Sequence, residues 1–308
     1  MSNALQSLRL RVPASTSNLG PGFDLLGLAL SLFLEVELRP LPKARAHQVL
    51  RKGRLLGELE AGGEDLTLRA FDAIAKQYEI QGYYQFLQSS EIPTGRGMGS
   101  SGAAIAAGLL LAKALCKTEI SMQSLISIGM EIEGHPDNVV PSLLGGLTLS
   151  QRFEAEAEVA VIHHELHSSI GFSVAWPAAQ LATSASRGVL PELIPLAQAA
   201  QNSARLAFLL EGLRSGSKEH LERGGIDSLH VPYRLPLIQG SKATLAAAKE
   251  AGAWMATISG SGSTLIALGP KTHIEEINAA MAATLAAFNE GVEAHVLEPV
   301  FGTPQVQR

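Results

Sequence analysis

The chain has 308 residues, of which 46% are hydrophobic and 17% charged, so it is long enough to form two hydrophobic cores. Its net charge of −5 and the lack of a run rich in Lys and Arg argue against a nucleic-acid partner, because binding to a phosphate backbone requires a basic face. A single cysteine argues against a disulfide framework, and no apolar stretch reaches the roughly 20 residues of a membrane span, so we expect a cytoplasmic protein without membrane attachment.

In the first half of the chain the hydrophobic pattern predicts strands and helices in mixed order. Asp65 or Thr67 is the expected N-cap of the first helix and Ser121 that of the last, since these side chains accept a hydrogen bond from a free backbone N–H. The first segment alternates charged and apolar residues, which is typical of a strand and not of a signal peptide. The predicted elements are strands at residues 8–12 and 28–38, a helix at 66–78, a strand at 83–87, and helices at 103–115 and 121–133.

The second half continues without regular alternation of strands and helices, which favours an α+β fold over a doubly wound parallel sheet. We place a domain boundary near residue 155, giving one domain at residues 1–155 and another at 156–308. The predicted elements are strands at 159–162 and 171–175, helices at 193–213 and 241–251, strands at 254–258 and 264–268, a helix at 275–288 and a strand at 292–297.

A segment with four glycines, residues 92–103, is called the glycine loop below and comes directly before a helix. Glycines let backbone N–H groups turn toward one point and let a bulky anion approach without meeting a Cβ. The helix start, with Ser100 or Ser101 at the N-cap, adds free N–H groups and partial positive charge. The pattern predicts a phosphate-binding loop made of Pro93, Thr94, Gly95, Arg96, Gly97, Met98, Gly99, Ser100, Ser101, Gly102 and Ala103.

Without further motifs, the residues of the glycine loop allow more than one interpretation of its function. No G-x-x-x-x-G-K-[ST] motif is present, so the loop is not a P-loop. The spacing of Gly97, Gly99 and Gly102 matches the dinucleotide-binding pattern, but that pattern usually opens the first βα unit of its domain. A tight loop that only caps a buried helix is the third interpretation. Two further small-residue segments bear on the choice: residues 13–24, which are too many for a hairpin turn, and residues 259–263, which are typical of a hairpin loop.

Together and in this order, these segments resemble the GHMP kinase superfamily and, within it, the homoserine kinases. The glycine loop is similar to the nucleotide-binding motif, residues 12–30 to the N-terminal motif, and residues 133–141 to the central motif. Residues 183–187 and 232–234 are similar to the substrate-binding segments. The resemblance implies a two-domain α+β fold, with an N-terminal domain like domain 2 of ribosomal protein S5, a ferredoxin-like C-terminal domain and a homodimeric assembly.

The resemblance implies transfer of the γ-phosphoryl group of ATP to the hydroxyl of L-homoserine, in threonine biosynthesis, with Mg²⁺ held by Ser101 and Glu133. Because the loop contains no lysine, its amides, the helix start and Mg²⁺ must neutralise the phosphate charge. Arg96 is a further candidate for this role, but we expect it mainly to be a solvated charge at the loop edge. The helix dipole disfavours a carboxylate at the C-terminal end of a helix by about 0.3–1 kcal/mol. The presence of Glu133 at such a position indicates a functional role. A solvated glutamate at a frayed helix end is the alternative.

Homoserine is a zwitterion, so its pocket requires a cation and an anion. Without the resemblance, Arg187 and Arg234 would be interpreted as ordinary surface arginines. The resemblance places these two arginines on the substrate carboxylate and Asp24 on the ammonium. The resemblance also places Asn18 and Asn138 on the remaining polar groups of the substrate. It places Thr183 near the reacting hydroxyl, with His135 as nearby support.

Two positions depart from the family pattern. Asn138 stands where some relatives have an aspartate, so we expect direct transfer without a strong general base, with Asp137 as a weaker candidate base. Asp65 replaces an asparagine on the adenine side; it can accept from the adenine amino group but cannot donate to a ring nitrogen.

Two other functions remain open for this chain: a GHMP kinase that acts on another small alcohol, and a regulator that binds ligands without catalysis. The presence of Ser101 and Glu133 argues against the regulator.

Overall fold

The computed structural model describes residues 7–58, 64–154 and 156–308. Its first part contains six strands and five helices within those ranges. The strands are β1 (Leu8–Asn18), β2 (Gly22–Pro40), β3 (Gln48–Lys52), β4 (Tyr84–Ser90), β5 (Leu147–Gln151) and β6 (Ala160–His164). The helices are α1 (Arg54–Glu58), α2 (Leu66–Gln77), α3 (Ser100–Leu115), α4 (Met122–Glu133) and α5 (Val139–Leu144).

The second part contains four strands, six helices and two short 3-10 helices in the described residues. The strands are β7 (Ile170–Trp176), β8 (Met255–Ile258), β9 (Leu265–Pro270) and β10 (Glu293–Leu297). The helices are α6 (Thr183–Gly188), α7 (Leu196–Ser215), α8 (Lys218–Gly224), α9 (Val231–Arg234), α10 (Ser241–Glu250) and α11 (Ile274–Ala286), and the 3-10 helices are Leu235–Leu237 and Lys271–His273. Within the described residues, every helix is too short or too polar to span a bilayer.

The first sheet has the strand order β3-β4-β2-β5-β6, with β1 paired along β2. Its pairs are antiparallel except β3 with β4. The apolar helix α3 is buried along most of its length, because it packs against α2, α4, α5 and β1. This burial fixes the N-terminal end of α3, and with it the end of the glycine loop.

The second sheet is antiparallel, in the order β10-β7-β9-β8. A separate core forms where α11 packs against it, through Ile277, Met281 and Leu285. The α+β prediction is therefore confirmed. β6 follows the predicted boundary in sequence yet pairs with β5 in the first sheet. Residue 155 lies outside the described residues, and the domain division stays a proposal.

Residues 13–24 differ from the long turn that the sequence suggests. β1 continues to Asn18, because the small side chains of Ser15 and Thr16 are buried against β2. The connection to β2 is only residues 19–21. The helix caps at Asp65 and Ser121 are confirmed: their side chains accept the N–H of Leu68 at 3.0 Å and of Ser124 at 3.1 Å.

Candidate active site

Six elements meet around one cavity of about 270 Å³. They are the glycine loop, the end of β1, the C-terminal end of α4, helices α6 and α9, and the turn at residues 259–263. The cavity is lined by these predicted residues: Asn18, Asp24, Pro93, Thr94, Gly95, Gly97, Gly99, Ser100, Ser101, Glu133, His135, Asn138, Thr183, Arg187 and Arg234. The other four predicted residues, Arg96, Met98, Gly102 and Ala103, are buried behind it.

The glycine loop turns its carbonyl groups into the protein. Its carbonyl oxygens accept hydrogen bonds from Leu181 N at 2.8 Å, Thr264 N at 3.0 Å, Ser259 Oγ at 2.6 Å and Ser15 N at 3.2 Å. The N–H groups of residues 97–102 have no acceptor anywhere in the described parts of the chain. A loop whose carbonyls are occupied and whose amides are open is suited to an anion.

The N-cap of α3 is Gly99, not Ser100 or Ser101 as the sequence suggests. Gly99 adopts a left-handed conformation with φ of 66°, and a Cβ there would lie 2.0 Å from Ser15 Oγ. No side chain caps the helix. Ser101 lies within the first turn, and its hydroxyl is directed to Glu133 instead of to a backbone N–H.

Arg96 is not the solvated charge expected from the sequence. It is only 7% exposed and donates to the carbonyl oxygens of Pro177 at 3.0 Å, Thr94 at 3.1 Å and Ala178. A buried guanidinium has to satisfy its donors, and these carbonyls do so. Arg96 therefore fastens the glycine loop to the segment that follows β7.

Ser101 and Glu133 bring two oxygen donors together at the cavity. Ser101 Oγ donates to Glu133 Oε1 at 2.5 Å. Burial raises the pKa of Glu133, and the Ser101 hydrogen bond opposes part of that rise. In the described residues, no group of three or more His, Cys, Asp or Glu side chains is arranged so that it could hold a metal ion by itself. A hydroxyl and one carboxylate still suit Mg²⁺, which commonly takes one or two protein ligands and completes its shell with phosphate oxygens and water.

His135 forms a close pair with Asp137, with Nδ1 and Oδ1 2.5 Å apart. Burial acts to lower the pKa of His135, but the hydrogen bond and charge of Asp137, with Glu133 and Asp24 farther off, outweigh it and raise the pKa. The pair therefore favours an imidazolium next to the buried Asp137 carboxylate.

The side-chain amide of Asn138 makes hydrogen bonds to two serines of β1. Its Oδ1 accepts from Ser15 Oγ at 3.0 Å, and its Nδ2 donates to Ser17 Oγ at 3.1 Å. These contacts join α5 to β1 directly behind the glycine loop. They account for the burial of Asn138, which is 8% exposed.

Opposite charges meet on the other side of the cavity. Arg187 forms two hydrogen bonds with the carboxylate of Asp24. Asn18 holds the backbone of Asp24, because its Oδ1 accepts the Asp24 N–H at 2.9 Å while its Nδ2 donates to Gly260 O at 2.9 Å. Thr183 is exposed beside this group, with its hydroxyl 3.5 Å from Ser261 Oγ.

At the far end of the cavity, Asp65 is fully engaged by the protein. Its carboxylate accepts from Leu68 N at 3.0 Å, Arg51 Nη2 at 3.0 Å and Gln88 Nε2 at 3.1 Å. Both oxygens are therefore used. The side chains of Leu34 and Leu66 supply the apolar part of this end.

Two family models match the chain, the GHMP kinases N terminal domain over residues 65–146 and the GHMP kinases C terminal over residues 209–287. A curated homoserine kinase of Synechococcus sp. strain RCC307 is 39% identical over 288 residues, covering 93% of this chain and 91% of that protein. The chain belongs to the GHMP kinases. A homoserine kinase of Prochlorococcus marinus strain MIT 9301 is 38% identical over 278 residues, covering 90% of this chain and 88% of that protein.

A solved structure extends the similarity to the whole fold. The crystal structure of homoserine kinase from Cytophaga hutchinsonii matches with a TM-score of 0.88 and 27% identity, covering 100% of this chain and 99% of that chain. The sequence-based assignment to the GHMP kinases is therefore confirmed.

Sequence reasoning missed several residues at this GHMP kinase cavity. Gly260 and Ser261 line it, although their turn looked like an ordinary hairpin loop. Arg51 and Gln88 line the end that holds Asp65. The excess of small residues in the turn was the one available signal, since neither pattern nor spacing marks the other two side chains.

Proposed function

We propose that this protein transfers the γ-phosphoryl group of ATP to the hydroxyl of L-homoserine, giving O-phospho-L-homoserine for threonine biosynthesis. One observation carries the proposal: a single cavity joins an anion-binding loop to a group of opposite charges suited to a zwitterion. The relatives named as homoserine kinases support the same substrate.

The nucleotide end is the glycine loop, residues 93–103. Gly97, Gly99, Ser100 and Ser101 line the cavity at the start of α3, and their amides, which have no protein acceptor in the described residues, can bind the triphosphate without a lysine. Asp65 has no free oxygen for adenine, so we propose that it positions Arg51 and Gln88 at the base end.

Ser101 and Glu133 are the proposed Mg²⁺ ligands. When bound there, Mg²⁺ supplies positive charge against the phosphate oxygens. Burial raises the pKa of Glu133, and a divalent ion stabilises the charged form of a buried carboxylate. The Ser101 hydroxyl already orients that carboxylate toward the start of α3.

The substrate end is formed by Asp24 and the two arginines. We propose that Asp24 binds the ammonium and that Arg187 and Arg234 bind the carboxylate. Asn18 supports Asp24, and we propose that Thr183, which lines the cavity, lies near the reacting hydroxyl.

Transfer is proposed to proceed without a strong base. Asn138 cannot accept a proton usefully and is hydrogen-bonded to Ser15 and Ser17, while Asp137 is paired with His135. The substrate hydroxyl attacks the γ-phosphorus, the bond to the β–γ bridging oxygen breaks, and ADP leaves. The hydroxyl proton passes to an oxygen of the transferred phosphoryl group. Positioning and charge neutralisation then account for the rate.

A substrate panel with ATP and Mg²⁺ tests this function. L-Homoserine should be phosphorylated with a much larger kcat/KM than mevalonate, shikimate or galactose, and EDTA should abolish the reaction. Equal turnover of another alcohol would assign the protein to a different GHMP kinase activity. Binding of ATP and homoserine without any turnover would favour a regulator.

A cytoplasmic location and a homodimer are further parts of the proposal, to be checked by cell fractionation and light scattering.

A further inference from the structure

Two buried side chains, His230 and Arg234, are in contact at helix α9. His230 is 0% exposed and Arg234 is 1% exposed. His230 Nδ1 lies 3.2 Å from Arg234 Nη1, and His230 Nε2 lies 2.9 Å from Gly20 O. The sequence pattern gave no role to His230, whereas Arg234 lines the cavity.

These two contacts fix the proton of the imidazole. A carbonyl oxygen only accepts, so Nε2 must carry the hydrogen in the contact with Gly20. A guanidinium only donates, so Nδ1 must be the unprotonated nitrogen in the contact with Arg234. His230 is therefore the neutral Nε2–H tautomer. A second proton would set an N–H of a cation against the guanidinium.

The environment of His230 agrees with this tautomer. Burial lowers its pKa, and the charge of Arg234 acts in the same direction, while Asp227 and Asp24 act against them. The nearest of these carboxylates, Asp227 Oδ2, is 3.8 Å from Nε2. That oxygen is also engaged in holding the backbone, because it accepts the N–H groups of Leu229, His230 and Val231 at 3.1, 2.8 and 2.7 Å.

The guanidinium of Arg234 is held along one side only. Its Nε donates to Ser186 O at 3.2 Å, and its Nη1 donates to Gly260 O at 3.3 Å as well as to His230. Its Nη2 has no acceptor among the residues that the structure describes. The two N–H groups of Nη2 are thus left for a ligand.

Both arginines lie close to the ring of Phe23. The guanidinium carbon of Arg234 lies 5.2 Å from its centroid, and that of Arg187 lies 5.8 Å away. The imidazole of His230 stacks on the same ring at 5.1 Å, with an angle of 26° between the planes. A neutral imidazole in this place avoids adding a third positive charge.

We propose that His230 is a positioning residue that, as a neutral hydrogen-bond acceptor, directs Nη2 of Arg234 toward the carboxylate of the substrate. The inference rests on the proposed function, in which Arg234 binds that carboxylate. His230 itself does not line the cavity, so its effect on catalysis has to pass through Arg234.

Two variants separate the acceptor from the ring. His230→Phe keeps the stack on Phe23 but has no acceptor, and His230→Asn loses the ring but places an amide oxygen near the position of Nδ1. We expect His230→Phe to raise the KM for homoserine about tenfold or more, as for loss of one hydrogen bond to a charged group. The KM for ATP should stay within about twofold, and His230→Asn should recover most of the homoserine affinity.

A double-mutant cycle completes the test. In an Arg234→Ala background, His230→Phe should raise the KM for homoserine no further, because the residue acts through the missing guanidinium. Equal rises in both KM values, an Asn variant as weak as the Phe variant, or additive effects in the cycle would overturn the inference. Circular dichroism checks that each variant is folded. Wild-type turnover of homoserine decides the proposed function independently of these ratios.

Discussion

Asp24 and Arg187 line the cavity side by side and form a bidentate ion pair, with Oδ1–Nη2 at 2.8 Å and Oδ2–Nη1 at 3.1 Å. Their side chains are 30% and 40% exposed, so the pair is open to exchange. In the proposed function each member binds the opposite end of the same zwitterion. A substrate carboxylate can replace Asp24 on the arginine, and a substrate ammonium can replace Arg187 on the aspartate. A ligand with a single charge would leave one of the two groups without its counter-ion.

Neutralising either member of this pair should weaken homoserine binding. We expect Asp24→Asn and Arg187→Gln each to raise the KM for homoserine by roughly 10- to 100-fold, because each removes a charge-assisted hydrogen bond worth about 1.5–3 kcal/mol. Arg214→Gln is the matched control, since Arg214 forms a similar pair with Glu211 on the exposed face of α7. Initial-rate kinetics measure all three, and a KM unchanged in the first two variants would refute the assignment.

Glu133 and its exposed neighbour Glu131 provide a second matched comparison. Glu133→Gln keeps the size of the side chain but removes the anionic oxygen proposed to bind Mg²⁺. We expect kcat to fall by at least about 100-fold, in keeping with the several kcal/mol that a catalytic metal contributes. Nucleotide binding, measured by calorimetry, should persist. Glu131→Gln should leave kcat unchanged, because Glu131 is exposed and does not line the cavity. Similar losses in both variants would contradict the metal assignment.

The glycine loop requires glycine at position 99 for two separate reasons. Gly99→Ala should cost about 1–2 kcal/mol for its left-handed backbone and about 1–3 kcal/mol more for the clash with Ser15. Gly134→Ala has the backbone cost alone, since φ is 95° there and no atom lies within 4 Å of an added Cβ. Urea unfolding should therefore show the larger loss of stability for Gly99→Ala, accompanied by weaker ATP binding. Equal losses would mean that the loop can move away from β1.

The buried imidazole of His230 predicts a dependence of stability on pH. Its pKa in the folded protein is lowered from the ordinary value, so above about pH 6.5 both folded and unfolded states are neutral and stability is complete. As the pH falls below that value, the unfolded state takes up a proton that the folded state excludes. The free energy of unfolding then decreases by up to about 1.4 kcal/mol per pH unit until the folded-state pKa is reached.

Urea unfolding between pH 7.5 and pH 5.5 measures this effect, with His230→Phe as the control. The wild type should lose stability toward low pH more steeply than the variant, whose ring does not titrate. Asp227 opposes the lowering of the pKa, and Arg234 adds to it, so the difference between the two slopes reports their balance. Parallel slopes would show that the folded protein accepts the proton.

Local patterns were sufficient for the helices that end at ordinary caps. Asp65 and Ser121 begin α2 and α4 as predicted, and Gly134 ends α4, since these signals act within one turn of the helix. The predicted N-cap of α3 was wrong because Gly99 adopts a left-handed conformation and packs so close to Ser15, 84 residues away in sequence, that only glycine fits there. A contact between distant segments decides that position, and no local propensity records it.

Side-chain environments were harder to predict than elements. The sequence predicts a solvated Arg96, whereas its side chain donates to backbone carbonyls near residue 177. Every residue has a backbone carbonyl, so the sequence cannot indicate which of them will accept. His230 passed unnoticed, although it precedes Arg234 by one helical turn. The resemblance supplied Arg187 and Arg234, which composition and spacing alone would have left as surface charges.

A crystal structure of the protein with L-homoserine and a non-hydrolysable ATP analogue, grown with Mg²⁺, tests the central claim most directly. The triphosphate should lie within hydrogen-bonding distance of the N–H groups of residues 97–102, and the homoserine carboxylate should contact Arg187 and Arg234. A nucleotide bound outside the cavity, or a glycine loop that gives its amides to protein acceptors in the complex, would contradict it.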